Sequence, residues 1–305
     1  MHFDPPEHKF RLSQPQQRIW NIEKIYPETA IYCIGGVSVF TNGKMDLDIL
    51  KKAFIRLLEK NKTFHLKIIE IEGEPWQYFD EEPPVLALDE FDFSKSADPY
   101  GAFYEWATGE FTKPFTIAES LLYYIAVVRI TEDQKAFLLK FHHLISDGWS
   151  VALSINEVFE NYRKVPAGEN EKVLADRSYK RFVEFEDHYF GSNDFLSDRQ
   201  FWNNRFHDLD HHPAKRIPSG LAGTRKGFVI EKALSASIKD YVERSRITLN
   251  VFFISIILLW EYRRLGKGDL TIGVPLLNRN GKEQRKTIGM YTSTMPFRVH
   301  VPEDI

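Results

Sequence analysis

The chain has 305 residues, of which 43% are hydrophobic and 27% charged, and it carries a formal net charge of -3. That balance excludes a disordered polymer and a small disulfide scaffold, and a chain of this length has room for a pair of domains or lobes. It gives no general attraction to nucleic acid or to an anionic membrane, so neither is expected as a partner.

The opening segment MHFDPPEHKF has no apolar core flanked by basic residues, so no secretory signal is read there. Ile34 to Phe40 reads as a strand, and the single cysteine, Cys33, sits at its start among Ile31, Tyr32 and Ile34. A lone cysteine cannot close an intrachain disulfide, and in apolar surroundings it is expected to be packed, as suits a reducing cytoplasm. Asp46 to Asn61 follows the helical period with Leu47, Leu50, Ala53, Phe54, Leu57 and Leu58 on one face, and Phe64 to Ile71 alternates like a strand leading into a turn at Gly73. The acidic, proline-marked stretch from Asp80 to Asp98 is expected to be irregular. A helix around Gly101 to Glu110 then precedes strands over Leu121 to Arg129 and Ala136 to Phe141. Ser150 is expected to cap a helix reaching about Lys164, and Val165 to Asn170, with Pro166 and Gly168, reads as a linker. The lobe boundary is placed there, giving lobes 1–168 and 169–305. Beyond it come a helix over Tyr179 to Tyr189, a polar loop over His211 to Lys226, and a strand over Gly227 to Lys232. Thr248 to Leu265 reads as a helix capped by Thr248 and stopped by Gly266, and a strand follows over Leu270 to Val274. The apolar run Val251 to Trp260 is interrupted by Ser255 and falls far short of the ~20 residues that span a bilayer, so it is expected to be a buried helix.

The densest chemistry lies in FHHLISDGWS, Phe141 to Ser150, where an apolar strand breaks into a turn carrying two adjacent histidines, an aspartate and a glycine. Neighbouring residues on an extended chain point to opposite faces, so His142 and His143 cannot both reach one substrate atom. His143 is expected to act as the acid/base group, because an imidazole accepts and returns protons near neutral pH. His142 is expected to be held internally. Asp147 is expected to orient the loop through an ion pair or backbone hydrogen bonds, since a buried carboxylate must be paired.

HHxxxDG at such a junction resembles the signature of the condensation domains of nonribosomal peptide synthetases, within the chloramphenicol-acetyltransferase-like acyltransferases. Further segments match in order. LSQPQQRIW (Leu12 to Trp20) resembles the family's LxPxQxxxW opening, and Gly73-Glu74-Pro75-Trp76-Gln77 is similar to its GxPxQ hairpin. Lys113-Pro114-Phe115 resembles its PF turn, and Tyr179 to Phe185 with Phe201-Trp202 resembles its YxDYxxW and YW helical segments. Asp269 to Pro275 is similar to DxxIGxP, and Ile288 to Pro296 is similar to IGMFVNTLP.

The resemblance implies an α/β fold of mixed sheets, a pair of pseudo-symmetric lobes with the histidine loop and a tunnel at their junction. It implies an amide-forming acyltransferase in which an acyl or peptidyl thioester on one carrier protein meets an aminoacyl thioester on another. His143 would serve the amine as base or positioner, and backbone N–H groups near Gly148 would serve the oxyanion. Trp149, Tyr291 and Ser293 are candidates to line the tunnel. No cofactor is expected on the domain itself. Phosphopantetheine arms would arrive on carrier proteins, a downstream adenylation domain is a further expected partner, and acyl-CoA is an alternative donor.

Departures from the pattern bear on the site. The arginine expected to pair with the motif aspartate falls on His65, so the resemblance implies a weaker or pH-dependent pairing with Asp147. The VNT of the late motif is Thr292-Ser293-Thr294, and the chain ends at Ile305 where relatives continue, so the second lobe is expected to be incomplete. Met1 just before the opening motif suggests a donor arriving in trans, as in starter domains that acylate with a fatty acid, with an internal condensation domain as the competitor. A stand-alone acyl-CoA-dependent acyltransferase and a catalytically silent interaction module remain open alternatives. His207, His211 and His212 read as surface histidines with no zinc-like spacing to His143, so no metal is expected.

Overall fold

A computed structural model describes residues 6–41, 43–80, 88–168, 178–209 and 226–302, and the chain divides into two compact units. The first comprises Met1–His211 with Leu277–Thr292, and the second His212–Leu276 with Ser293–Ile305.

In the first unit a short strand β1 (Phe10–Arg11) leads into helix α1 (Gln14–Ile25), which Ser13 caps through a capping box with Gln16. Strand β2 (Cys33–Phe40) and helix α2 (Leu47–Lys60) follow, and a single 3-10 turn (Lys62–His65) enters strand β3 (Leu66–Ile71). Glu72 and Gly73, both at positive φ, turn the chain back into β4 (Glu74–Phe79), the geometry of a tight two-residue hairpin. Then come β5 (Asp89–Asp92), α3 (Pro99–Thr112), β6 (Tyr123–Arg129), β7 (Lys135–His142) and α4 (Gly148–Lys164), with α5 (Ser178–Phe190) and α6 (Asn193–Phe206) closing the unit. The central sheet runs β2-β7-β6-β5, antiparallel except for the parallel β5–β6 pair, and a second sheet runs β1-β4-β3.

Why β7 is central follows from its sequence. Phe137, Leu139 and Phe141 belong to the core shared with α2 and α4, whereas Ala136 and Leu138 belong to the core shared with Phe103 and Ala107 of α3. The strand is thus buried on both faces, as its nearly unbroken apolar run requires. The six apolar positions read on α2 are all buried, five of them completely, and each such side chain contributes roughly 1.5–3 kcal/mol except the smaller alanine.

The first unit runs past the boundary expected at 168 because α5 seats Tyr179, Phe182 and Val183 in its core. Other expectations also shift. Asp147, not Ser150, caps α4, since its carboxylate accepts the Ser150 N–H. Asp89–Asp92 forms a strand within the stretch read as irregular, drawn in by β6 despite its polar sequence. His65 ends the 3-10 turn rather than lying in a strand.

The second unit holds α7 (Lys232–Arg244), α8 (Leu249–Leu265) and the antiparallel pair β8 (Asp269–Leu276) and β9 (Ser293–His300). Thr248 and Gly266 cap α8, the latter in the left-handed region. Gly227–Glu231 forms no strand, having no partner among the described residues, and Phe228 and Val229 stand exposed. The apolar run expected to be buried is largely on the surface of α8, where only Leu258 is buried. Its small core adds Leu270 and Val301 to Leu258, too little apolar contact to cover the rest of the helix. Among the described residues no helix is long and apolar enough to cross a membrane.

At Gly35 the glycine is dictated by close approach. Gly35, at φ 137°, faces β7 so tightly that a Cβ would lie 2.0 Å from the Leu139 carbonyl oxygen. Gly35→Ala is therefore expected to cost about 3 kcal/mol or more, read as a lower urea midpoint with an unchanged slope. A midpoint equal to that of the parent chain would show that β2 does not approach β7 in this way.

Candidate active site

The alternation of β7 decides the fate of each histidine. His142 continues the face occupied by Lys140, where the Phe115 ring meets both side chains, and it is 2% exposed. Its Nδ1 accepts the Leu144 N–H at 3.1 Å, which places the ring proton on Nε2, 3.3 Å from Glu23 Oε1. Glu23, on α1, is itself buried. This internal ring, fixed at both nitrogens, has no face left for a substrate.

His143 sits differently. Its N–H donates to the Tyr32 carbonyl oxygen at 2.9 Å, and the Tyr32 ring meets the imidazole edge-on at 6.2 Å. From Phe141 through Asp147 it alone keeps some exposure. Its Nδ1 has no hydrogen-bond partner among the described residues. Burial pushes the imidazole below its ordinary pKa, outweighing the nearby backbone of His143 and Ser146 and the Asp147 carboxylate, which favour protonation. The ring is thus neutral at neutral pH.

Past the turn, Asp147 begins α4 and is fully buried. Its Oδ1 accepts the Ser150 N–H at 2.8 Å and Arg279 Nη2 at 2.9 Å. Its Oδ2 accepts Arg279 Nη2 at 3.1 Å, the N–H groups of Tyr291 and Thr292 at 3.2 and 3.3 Å, and the Thr292 hydroxyl at 3.1 Å. Arg279 also donates to the carbonyls of Gln284, Thr287 and Gly289 and to Ser150 Oγ, and lies 4.0 Å from the Tyr291 ring centroid. With Asp147 occupied by the Ser150 N–H, the N–H groups of Gly148 and Trp149 have no acceptor among the described residues. The Gly148 Cα faces open space. These first amides of α4 are therefore uncommitted backbone donors at the helix start.

The motif glutamines meet beneath the loop. Gln16 and Gln77, both fully buried, pair their side-chain amides at 2.9 Å, and Gln16 Nε2 also donates to the Leu144 carbonyl at 2.8 Å.

Some expected roles are corrected. His65 does not pair with Asp147: its Nε2 faces the Leu58 carbonyl at 3.0 Å, and burial lowers its pKa, so it supplies no charge. Arg279 takes that partnership. Tyr291 cannot line a tunnel, because its side chain is fully buried between Tyr179 and Phe182. Trp149 is 42% exposed and its indole N–H donates to the Arg285 carbonyl. Ser293 starts β9 in the second unit. His207 is exposed after α6, and His211 and His212 lie outside the described residues. Among the described residues no cluster of His, Cys, Asp or Glu is placed to hold a metal. Glu23, Tyr32 and Arg279 escaped the sequence reading. Glu23 falls in the matched opening helix, but nothing in the spacing links Arg279 to a residue 132 positions away.

A model of the condensation domain family matches residues 6–305. The chain belongs to that family. This condensation domain is 26% identical over 298 residues to surfactin synthase subunit 1 of Bacillus subtilis and 23% identical over 301 residues to the dimodular nonribosomal peptide synthase of the same organism. It covers 8% and 13% of the length of those relatives, with 96% and 98% of its own chain matched. Among solved structures, the first condensation domain of the calcium-dependent antibiotic synthetase superposes with a TM-score of 0.81 at 22% identity, over 96% of this chain and 70% of that one. The starter condensation domain of rhizomide synthetase, solved in complex with C8-CoA, gives a TM-score of 0.78 at 20% identity over 97% and 67%. The fold is therefore the mixed α/β, chloramphenicol-acetyltransferase-like fold of the condensation domains.

The buried ion pair yields a test. Arg279→Met leaves a buried carboxylate without its counter-charge and is expected to cost roughly 3–5 kcal/mol. Asp147→Asn in the same chain is expected to restore part of that loss. A loss in the double variant equal to the sum of the losses in Arg279→Met and Asp147→Asn, read by urea denaturation, would mean that Asp147 and Arg279 are not coupled.

Proposed function

We propose that this domain forms an amide between an acyl thioester and the amine of an aminoacyl thioester presented on a carrier protein. The observation that carries this reading is that one turn holds the partly exposed His143, its ring neutral, and, a few residues on, the uncommitted N–H groups of Gly148 and Trp149. Acyl transfer needs a base for the attacking nitrogen and donors for the carbonyl oxygen, and the turn supplies both.

In this reading the amine nitrogen attacks the thioester carbonyl carbon, and the oxygen takes up negative charge against the first amides of α4. His143 accepts a proton from the nitrogen as the C–N bond forms. The C–S bond then breaks and the proton passes to the departing sulfur. Holding the reactants aligned supplies as much as ~7–11 kcal/mol of barrier lowering, more than general-base help worth roughly 10²–10⁴ in rate. The loop's rigid anchoring therefore matters as much as the proton transfer.

The substrates are phosphopantetheine thioesters on carrier proteins, with an adenylation domain as the supplier of the aminoacyl group. A fatty acyl donor, as in starter domains, is supported by the likeness to the rhizomide synthetase starter domain, whose complex holds C8-CoA. That likeness also favours acyl-CoA as a donor to be tried directly.

Incubation with an octanoyl donor, as carrier thioester or as CoA thioester, and a leucyl carrier is expected to give the amide by mass spectrometry. His143→Ala is expected to lower the rate by about 100-fold or more. A lowered imidazole pKa keeps the base unprotonated further into acid, so the rate is expected to hold near pH 6.5 and fall only as pH drops below it. No product from the parent chain would favour a silent interaction module. Product unchanged in His143→Ala would retire the base.

A further inference from the structure

The segment 288–292 joins neither of the sheets of the first unit, yet it carries two of the amides that hold Asp147. A buried backbone outside a sheet must find partners elsewhere. Here each successive carbonyl is taken by a different side chain. Thr63 Oγ1 donates to Ile288 O at 2.7 Å, Ser150 Oγ donates to Gly289 O at 2.9 Å, Tyr179 Oη donates to Met290 O at 3.0 Å, and Asn278 Nδ2 donates to Tyr291 O at 3.0 Å. On the other edge, Gly289 N–H donates to Ser150 Oγ and those of Tyr291 and Thr292 to Asp147. The segment is a strut clamped along its length, and its amide edge sets where the Asp147 carboxylate rests.

Of the clamps, Tyr179 also reaches the start of α1. It lies on α5 and is 1% exposed. Its hydroxyl lies 3.1 Å from Ser13 Oγ, the cap of α1, and its ring meets Tyr291 edge-on at 5.3 Å. The fit against Gly289 is so close that a Cβ there would lie 2.3 Å from Tyr179 Cδ2. One helical face, Tyr179 through Glu186, seats α5, with Glu186 accepting the Gln14 N–H at 2.9 Å. The phenol thus fixes the height of Met290, between the Gly289 and Tyr291 contacts to the Ser150 and Asp147 start of α4.

We infer that Tyr179 is a positioning residue for the condensation reaction, acting on His143 through the 288–292 strut and the Asp147 carboxylate without touching substrate. This rests on the reading of His143 as the base. The same strut would also hold the first amides of α4 in place for the oxyanion. Tyr179→Phe keeps the ring and its packing but deletes the hydrogen bond to Met290 O, so it separates positioning from simple filling of the core.

The test combines turnover with a measurement that needs no turnover. In the octanoyl and leucyl assay, Tyr179→Phe is expected to lower kcat about tenfold with little change in KM for either thioester, the scale of one misplaced hydrogen-bonded contact. Val183→Ala, on the same helix and without a bond to the strut, is expected to keep the parent kcat even where its melting temperature falls further. NMR titration of the His143 ring in the whole chain is expected to show an upward move of its midpoint in Tyr179→Phe, as a loosened wall admits water, and none in Val183→Ala. A parent-like kcat with a parent-like His143 midpoint in Tyr179→Phe would overturn the inference. So would equal losses of kcat in both variants, which would mark a merely structural residue. If the parent chain makes no amide, the proposed function fails separately, and the His143 midpoint still decides whether Tyr179 controls the ring.

Discussion

A single buried carboxylate organises this domain. Asp147 has no exposed surface, and an ionised group taken out of water costs several kcal/mol unless nearly every lone pair is met. The protein meets them from three directions: the start of α4, the Arg279 guanidinium and the amides of 291–292. Each direction is a constraint on a segment that would otherwise be loop. Because Asp147 is also the residue after which α4 begins, satisfying it fixes the turn that carries His143, and it leaves the next amides of the helix uncommitted. In the proposed reading, stability and reactivity share an anchor.

The pair of histidines shows the same economy. A strand delivers adjacent side chains to opposite faces, so a doubled histidine at the end of β7 necessarily sends one ring inward and leaves one at the opening. The inward ring is bound at both nitrogens, to Leu144 and Glu23, and so ties the strand end to α1. The other is held by its backbone to Tyr32 while its Nδ1 stays unpartnered among the described residues. In the proposed reading that ring nitrogen is left free to take up a proton, since a ring committed to a strong partner would resist changing its protonation state.

Much of this was legible in the sequence wherever one local rule sufficed. The face of α2, the caps Thr248 and Gly266 around α8, and the strand-to-turn break at the histidines each depend on neighbours a few residues apart. Failures came where a distant partner decided the outcome. Asp89–Asp92 is polar and short, and only the waiting edge of β6 makes it a strand, whereas Gly227–Glu231 has strand-like residues and no edge to join among the described residues. The apolar run in α8 has the composition of a core helix, but burial depends on what surrounds a helix and not on its composition. His65 was given the aspartate by position in a motif, yet its ring turns toward the last turn of α2. Arg279 carries the charge instead, from a polar loop in which no local pattern marks it.

That exchange also explains how the late motif tolerates its departure from the family pattern. A valine at 292 would give Asp147 a backbone N–H alone, whereas Thr292 gives both its N–H and its hydroxyl. With a neutral histidine at 65, the carboxylate has one cationic partner, Arg279, among the described residues, so an added neutral donor is of more consequence here than beside a second cation. The hydroxyl costs little to hold, because a β-branched side chain has few rotamers to lose. Thr292 thus supplies Asp147 with a second neutral donor, while His65, turned to the Leu58 carbonyl, supplies none.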